Sequence, residues 1–186
     1  MRFLTHPAFF VVLLVAYVVI RLLLRQRKAK SQAIGQPNLV ENPPPAPRFP
    51  LTRQSFEGIG SIELPSGPEW ERHGKQLYHA GLRMTIVIQT QAEGFVGDEV
   101  GYLDSYDEVN QRDAPNWERG PEQLGQVAGV VAARTNGRFN NGMAMVTRDY
   151  LFFAPFTTVL FQSRVPAAHA EALATIDYSA STFRRS

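Results

Sequence analysis

The sequence predicts an α+β domain, an antiparallel sheet with flanking helices, behind one N-terminal transmembrane helix. Three observations predict this. Ala8 to Leu24 reads AFFVVLLVAYVVIRLLL, apolar apart from Arg21. Met84, Ile86 and Ile88 alternate with Thr85, Val87 and Gln89, the two-residue period of a half-buried strand. Leu173, Ile176, Ala180 and Phe183 recur at helical spacing near the C-terminus. Several strands with helices laid on them make a layered sandwich.

Counted from Phe3, the apolar run is 22 residues long. As a helix it covers roughly 33 Å, enough for a hydrocarbon core about 30 Å thick. The β-branched Val11, Val12, Val15, Val18 and Val19 suit lipid, where the backbone bonds only to itself. Arg21 lies one turn from the end, within snorkelling reach of the headgroups, and Tyr17 sits near the same boundary. A cleaved signal peptide would carry its charge ahead of the run and small residues at the cut. Here Arg2 alone precedes the run, while Arg21, Arg25, Arg27, Lys28 and Lys30 are the candidate lipid-headgroup contacts behind it. The Lys/Arg-rich side of a span is cytoplasmic, which places the C-terminal domain in the cytoplasm of a bacterial inner-membrane protein, with a periplasmic domain as the alternative.

Residues 1–50 hold seven Lys/Arg and one Glu, net +6; residues 51–186 hold twelve Lys/Arg and sixteen Asp/Glu, net −4. The basic cluster therefore belongs beside the membrane as a grip on anionic lipid, and an acidic domain argues against nucleic acid. This divides the chain into an anchor over 1–30, a linker over 31–53 and a domain over 54–186. The linker holds six prolines between Pro37 and Pro50. Such a run favours extended polyproline II and reads as a stiff spacer holding the domain off the bilayer.

Within the domain, Phe56, Ile62 and Leu64 share parity and read as one strand ended by Pro65, with Trp70 a core anchor after the turn. Gln76–Leu82 and Met84–Thr90 read as two more. Glu93 to Glu122 carries nine carboxylates against Arg112 and Arg119, net −7. Leu103, Tyr106, Val109 and Trp117 offer an apolar stripe for a helix starting near Asp104 or Ser105 and stopping before Pro115. Gly125 to Phe139 reads as one long strand with two apolar faces. Asn140-Asn141-Gly142 is a hairpin signal, since Asn and Gly tolerate positive φ. Met143–Phe153 returns, Pro155 breaks the strand, and Thr157–Arg164 adds another. Pro166 suits the first turn of a closing helix, with Arg184 and Arg185 at its C-terminal dipole.

In element order and texture the chain resembles the PsbP/DcrB-like family over about residues 55–184. The resembling pieces are SIELPSGPEW, MTIVIQT, GQVAGVVAARTNGRF, the hairpin into MAMVTRDYLFFAP, TTVLFQSRVP and the closing HAEALATIDYSASTFR. The resemblance implies a PsbP-like sandwich and an accessory, non-enzymatic role in binding a partner or stabilising a membrane complex. Some proteins of this fold resemble immunity proteins of bacterial toxin systems.

With no cysteine, thiol catalysis, zinc–thiolate and iron–sulfur sites are excluded. No P-loop, G-x-S-x-G or G-x-G-x-x-G occurs, and no cofactor is expected. A His–carboxylate metal site would have to combine His73 or His79 with Asp98 or Glu99; surface histidines are the plainer reading. The expected function is that of a membrane-anchored, non-catalytic accessory protein with a protein partner in or at the membrane. The alternatives are an immunity protein whose acidic surface caps a basic toxin, and a small-ligand or metal-binding domain with a pocket between sheet and helix. Asp104, Asp107 and Glu108 are the expected partner-binding residues, on a segment too charged to be needed for the core.

Overall fold

The computed structural model describes residues 15, 17–20, 36–56, 59–91, 98–154 and 157–186. A large antiparallel sheet is built from β3 (Trp70–His73), β4 (Gln76–His79), β5 (Met84–Gln91), β10 (Thr158–Pro166), β9 (Ala144–Phe153), β8 (Val130–Asn140) and β6 (Glu118–Arg119), in that spatial order. β7 (Gln123–Val127) pairs with the first part of β8, beside β6. A second sheet joins β1 (Leu51–Phe56), β2 (Gly60–Pro65) and the short β11 (Arg184–Arg185). The helices are α1 (Glu99–Asp113) and α2 (Ala174–Ser181), the latter preceded by a 3-10 segment over Ala167–Leu173.

Strand alternation sorts the core into two clusters on opposite faces of the large sheet. Ala132, Phe152 and Phe161 pack with β1, β2 and α2 through Phe56, Ile62, Leu64, Ile176, Ala180 and Phe183. Their neighbours Val131, Ala133, Leu151, Phe153 and Leu160 pack under α1 against Tyr102 and Leu103. The runs Val130–Ala133 and Tyr150–Phe153 are therefore buried throughout. Small Ala132 and Ala133 make room for Phe152 and Leu151 directly opposite. Phe152 stacks on Phe183 at 4.5 Å between centroids, which ties the C-terminus to the sheet.

Several elements differ from expectation, each for a local reason. The stretch around Phe56, Ile62 and Leu64 is a hairpin of two strands, with Phe56 paired to Gly60. Gly60 has φ 156°, and a Cβ there would lie 2.1 Å from the Arg184 carbonyl oxygen. Gly125–Phe139 is also two strands. Ala128 (φ 49°) and Gly129 (φ 76°) form a two-residue turn with both φ positive, the type I′ geometry that closes tight hairpins. Alanine is a poor signal for it. At Asn140-Asn141-Gly142 only Gly142 takes positive φ (73°). β10 runs on to Pro166, and the closing helix begins as 3-10, with a break at His169 (φ −121°, ψ 28°). Arg184 and Arg185 are not at a helix end; they pair with Ser61 and Gly60 of β2. α1 begins at Glu99, and Val109 is exposed on its outer side.

Within the expected linker, residues 37–40 and 49–50 lie against the domain. Gln126 donates its amide to the Pro37 carbonyl at 2.9 Å, and Leu39 donates to the Gln126 carbonyl at 3.0 Å. Leu39, Val40 and Phe49 lie against the main core. A Cβ on Gly125 would lie 2.3 Å from the Pro37 carbonyl oxygen, so glycine permits this approach. The prolines fit because this segment borrows only a few backbone bonds from β7 instead of a full ladder.

The expected transmembrane helix falls largely outside the described residues. Val15, Tyr17, Val18, Val19 and Ile20 are described; they are helical and 45–56% exposed. Among the described residues no helix is long and apolar enough to cross a membrane. Arg21, Arg25, Arg27, Lys28 and Lys30 lie outside the described residues.

Candidate functional site

α1 and the β6–β8 edge form one charged corner, built on side chains that α1 turns inward. Along the helix the buried positions are Glu99, Tyr102, Leu103, Asp107 and Asn110, the three-to-four spacing of one face. Asp107 is thus a core acceptor, 7% exposed. Its two oxygens take the Trp117 indole N–H at 2.6 Å and the Gln111 amide at 2.7 Å. Trp117 in turn lies over Gly137 of β8, where a Cβ would sit 2.0 Å from the indole ring.

The structure therefore splits the expected docking residues. Asp104 is exposed and takes a 3.0 Å bond from Arg119, and Glu108 is exposed on the outer face. Asp107 is occupied inside, which corrects the expectation that these carboxylates are dispensable to the core. Arg119 also forms a bidentate pair with Glu122 at 2.6 and 2.7 Å. The two carboxylates hold its guanidinium further above its already high range. Part of the acidity read from the segment is thus spent on one arginine.

Beneath α1 lies a second polar group of residues. The β9–β10 pairing runs from Thr158↔Phe153 to Phe161↔Tyr150, lapses across Arg148 and Asp149, and resumes at Arg164↔Thr147. Side chains fill the gap. Asp149 Oδ1 accepts the Ser163 amide at 2.8 Å, and the Ser163 hydroxyl bonds the Arg148 backbone. Asp149 Oδ2 accepts the Tyr106 hydroxyl at 2.7 Å, and that oxygen accepts the Gln162 amide at 2.7 Å. Burial pushes the Asp149 carboxyl up to about 6, opposed by the Ser163 and Tyr106 bonds and by Arg164. Burial and the Asp149 charge push the Tyr106 hydroxyl well above its usual range. Alternation alone does not distinguish this inward aspartate from a solvated one.

On the opposite face of the sheet, between β8–β9 and the 3-10 segment, is a cleft of about 540 Å³. Arg138 and Arg148 project from adjacent strands, with Val146, Ala170 and Leu173 as the apolar wall. Arg148 Nε bonds Asn136 Oδ1 at 3.1 Å, and Nη1 pairs with Asp177 of α2. Tyr150 donates to the other Asp177 oxygen at 2.9 Å. Arg138 pairs with Glu118 on the rim. The three guanidiniums that line the cleft, Arg119, Arg138 and Arg148, are thus each paired with a carboxylate.

The candidate metal residues do not converge. His73 lies 3.3 Å from Glu71, and His79 packs edge-on against Trp70 at 5.0 Å with Glu69 3.5 Å away. Among the described residues no three His, Asp or Glu side chains are grouped as a metal would require.

No known protein family matches the chain by sequence profile, and no curated protein matches it by sequence. Solved structures do match in shape. Cyanobacterial PsbP (CyanoP) from Synechocystis is 14% identical, with a TM-score of 0.53 over 73% of this chain and 92% of that one. LpqN, involved in cell envelope biogenesis of Mycobacterium tuberculosis, is 14% identical, with a TM-score of 0.49 over 72% and 89%. The Ran-binding protein Mog1p of Saccharomyces cerevisiae is 13% identical, with a TM-score of 0.47 over 73% and 95%. The PsbP likeness is one of fold: a mostly antiparallel sheet with a few helices.

Proposed function

We propose that this chain is a membrane-anchored, non-catalytic adaptor whose α+β domain binds a protein partner at the bilayer. The observation that carries the reading is the exposure of Val15, Tyr17, Val18, Val19 and Ile20 along one helical stretch. Four aliphatic side chains and a tyrosine exposed in this way offer apolar surface that lipid would cover. The five Lys/Arg that follow favour a cytoplasmic domain. In the domain Arg119 pairs with Glu122 and Asp104, Arg138 with Glu118, and Arg148 with Asp177. The test is purification of the full chain from gently solubilised membranes. A stoichiometric membrane-protein complex that survives size exclusion is expected; a chain that elutes alone from every mild detergent contradicts the adaptor reading. Orientation is tested by C-terminal fusions: fluorescence of a green fluorescent fusion with an inactive alkaline phosphatase fusion is expected, and the reverse pair places the domain outside.

A further inference from the structure

The geometry points to the cleft between β8–β9 and the 3-10 segment as a site for a glutamate or aspartate side chain flanked by apolar residues, in an extended peptide. Its volume, about 540 Å³, lies within the roughly 300–1,000 Å³ usual for ligand sites. Two arginines supply the donors. Asn136 and Asp177 hold Arg148 through Nε and Nη1, leaving Nη2 with no acceptor among the described residues. Its side chain is only 29% exposed, so this donor is fixed in place with little left to order on binding. Arg138 stands two residue pairs further along, opposite Val146, while Asn136 stands opposite Arg148. Arg138 contacts Glu118 through Nε and Nη2, leaving Nη1 with no acceptor among the described residues. That rim pair is 71% and 59% exposed, so an incoming carboxylate can take over Arg138 at little cost.

The apolar flanks have a matching wall. The segment over Ala167–Leu173 is 3-10, where positions three apart eclipse, so Ala170 and Leu173 share a side. Both line the cleft with Val146 and Pro121. Seven residues is long for this helix type, and the break at His169 interrupts it. An apolar wall beside two partly unsaturated guanidiniums selects a carboxylate over a cation, and an apolar neighbour over a polar one.

This deepens the adaptor reading by naming the chemistry of what the domain holds, and the cleft can be tested apart from it. The probe is Ac-Ala-Leu-Glu-Leu-Ala-NH2, with its Gln analogue as control, titrated into the isotopically labelled full chain in detergent while the arginine Nε–H signals are followed. We expect the Glu peptide, and not the Gln peptide, to shift the Arg148 and Arg138 signals, with binding that weakens as salt is added. Arg138→Gln, at an exposed position, is expected to weaken binding about tenfold, and Glu118→Gln to tighten it about two- to fivefold. Equal shifts by both peptides, shifts confined to α1, or no shift at all overturn the assignment, whether or not a partner co-purifies. Carboxylate-specific shifts from a chain that purifies without a partner keep the cleft and overturn the adaptor reading alone.

Discussion

Replacing Asp149 by Asn should flatten the pH dependence of the domain's stability, the variant gaining on wild type as pH rises. Asp149 is fully enclosed under α1, and its carboxyl is pushed from its ordinary 3.8 to about 6. A raised carboxyl means that the folded state holds the proton more tightly than the unfolded chain. Its contribution is fully present below the unfolded value, is lost as pH rises through about 6, and does not return above that. The difference corresponds to roughly 3 kcal/mol across that window, as an order of magnitude. Asn removes the titration and keeps one bond, its oxygen accepting the Ser163 amide; its NH2 can only donate, so the bond that Tyr106 donates to Asp149 is reversed, a cost that does not vary with pH. The assay is urea unfolding of residues 36–186, wild type and Asp149→Asn, at half-unit steps from pH 4 to 8. The stability of the variant relative to wild type should grow by up to about 3 kcal/mol with rising pH, most of it below pH 6.5. A difference that stays constant over the whole range would refute the enclosed carboxylate.

The acidic helix should respond unevenly. Asp107→Ala should cost about 1–3 kcal/mol, because it leaves the Trp117 indole N–H without its acceptor, whereas Asp104→Asn and Glu108→Gln should each stay within about 0.5 kcal/mol. Equal chemical-denaturation midpoints for all three would place Asp107 outside the core. Gly125→Ala should dislodge the segment over 36–40, read as faster protease cleavage between residues 36 and 50; unchanged cleavage would mean that this segment is not held by β7. Gly137→Ala should displace the Trp117 ring, with a shifted indole emission and a loss of about 1–3 kcal/mol.

What could be read ahead of the structure follows from how local its cause is. The alternation of Met84, Ile86 and Ile88 and the spacing of Leu173, Ile176, Ala180 and Phe183 are one-face patterns, and all seven side chains are buried. Trp70 is buried too. The turn at Ala128-Gly129 escaped because alanine in a left-handed conformation is imposed by the pairing of Val127 with Val130, across a stretch that reads as uninterrupted strand. Asp107 escaped because an aspartate among eight other carboxylates looks solvated; its reason for burial, Trp117, lies ten residues away beyond the end of the helix. Asp149 and Ser163 escaped because the lapse they fill belongs to two strands at once. The docked proline segment was invisible for the same kind of reason, since Pro37 and Leu39 bond to Gln126 across most of the domain.

The membrane-anchored adaptor stands or falls first on its anchor. Membranes from cells expressing the full chain should be washed in alkaline carbonate, which strips peripheral proteins, and the N-terminus of the retained protein sequenced. The chain is expected to stay in the membrane pellet with residues 8–24 intact. Release of the full-length chain into the wash, or a mature N-terminus beyond Leu24, would contradict it.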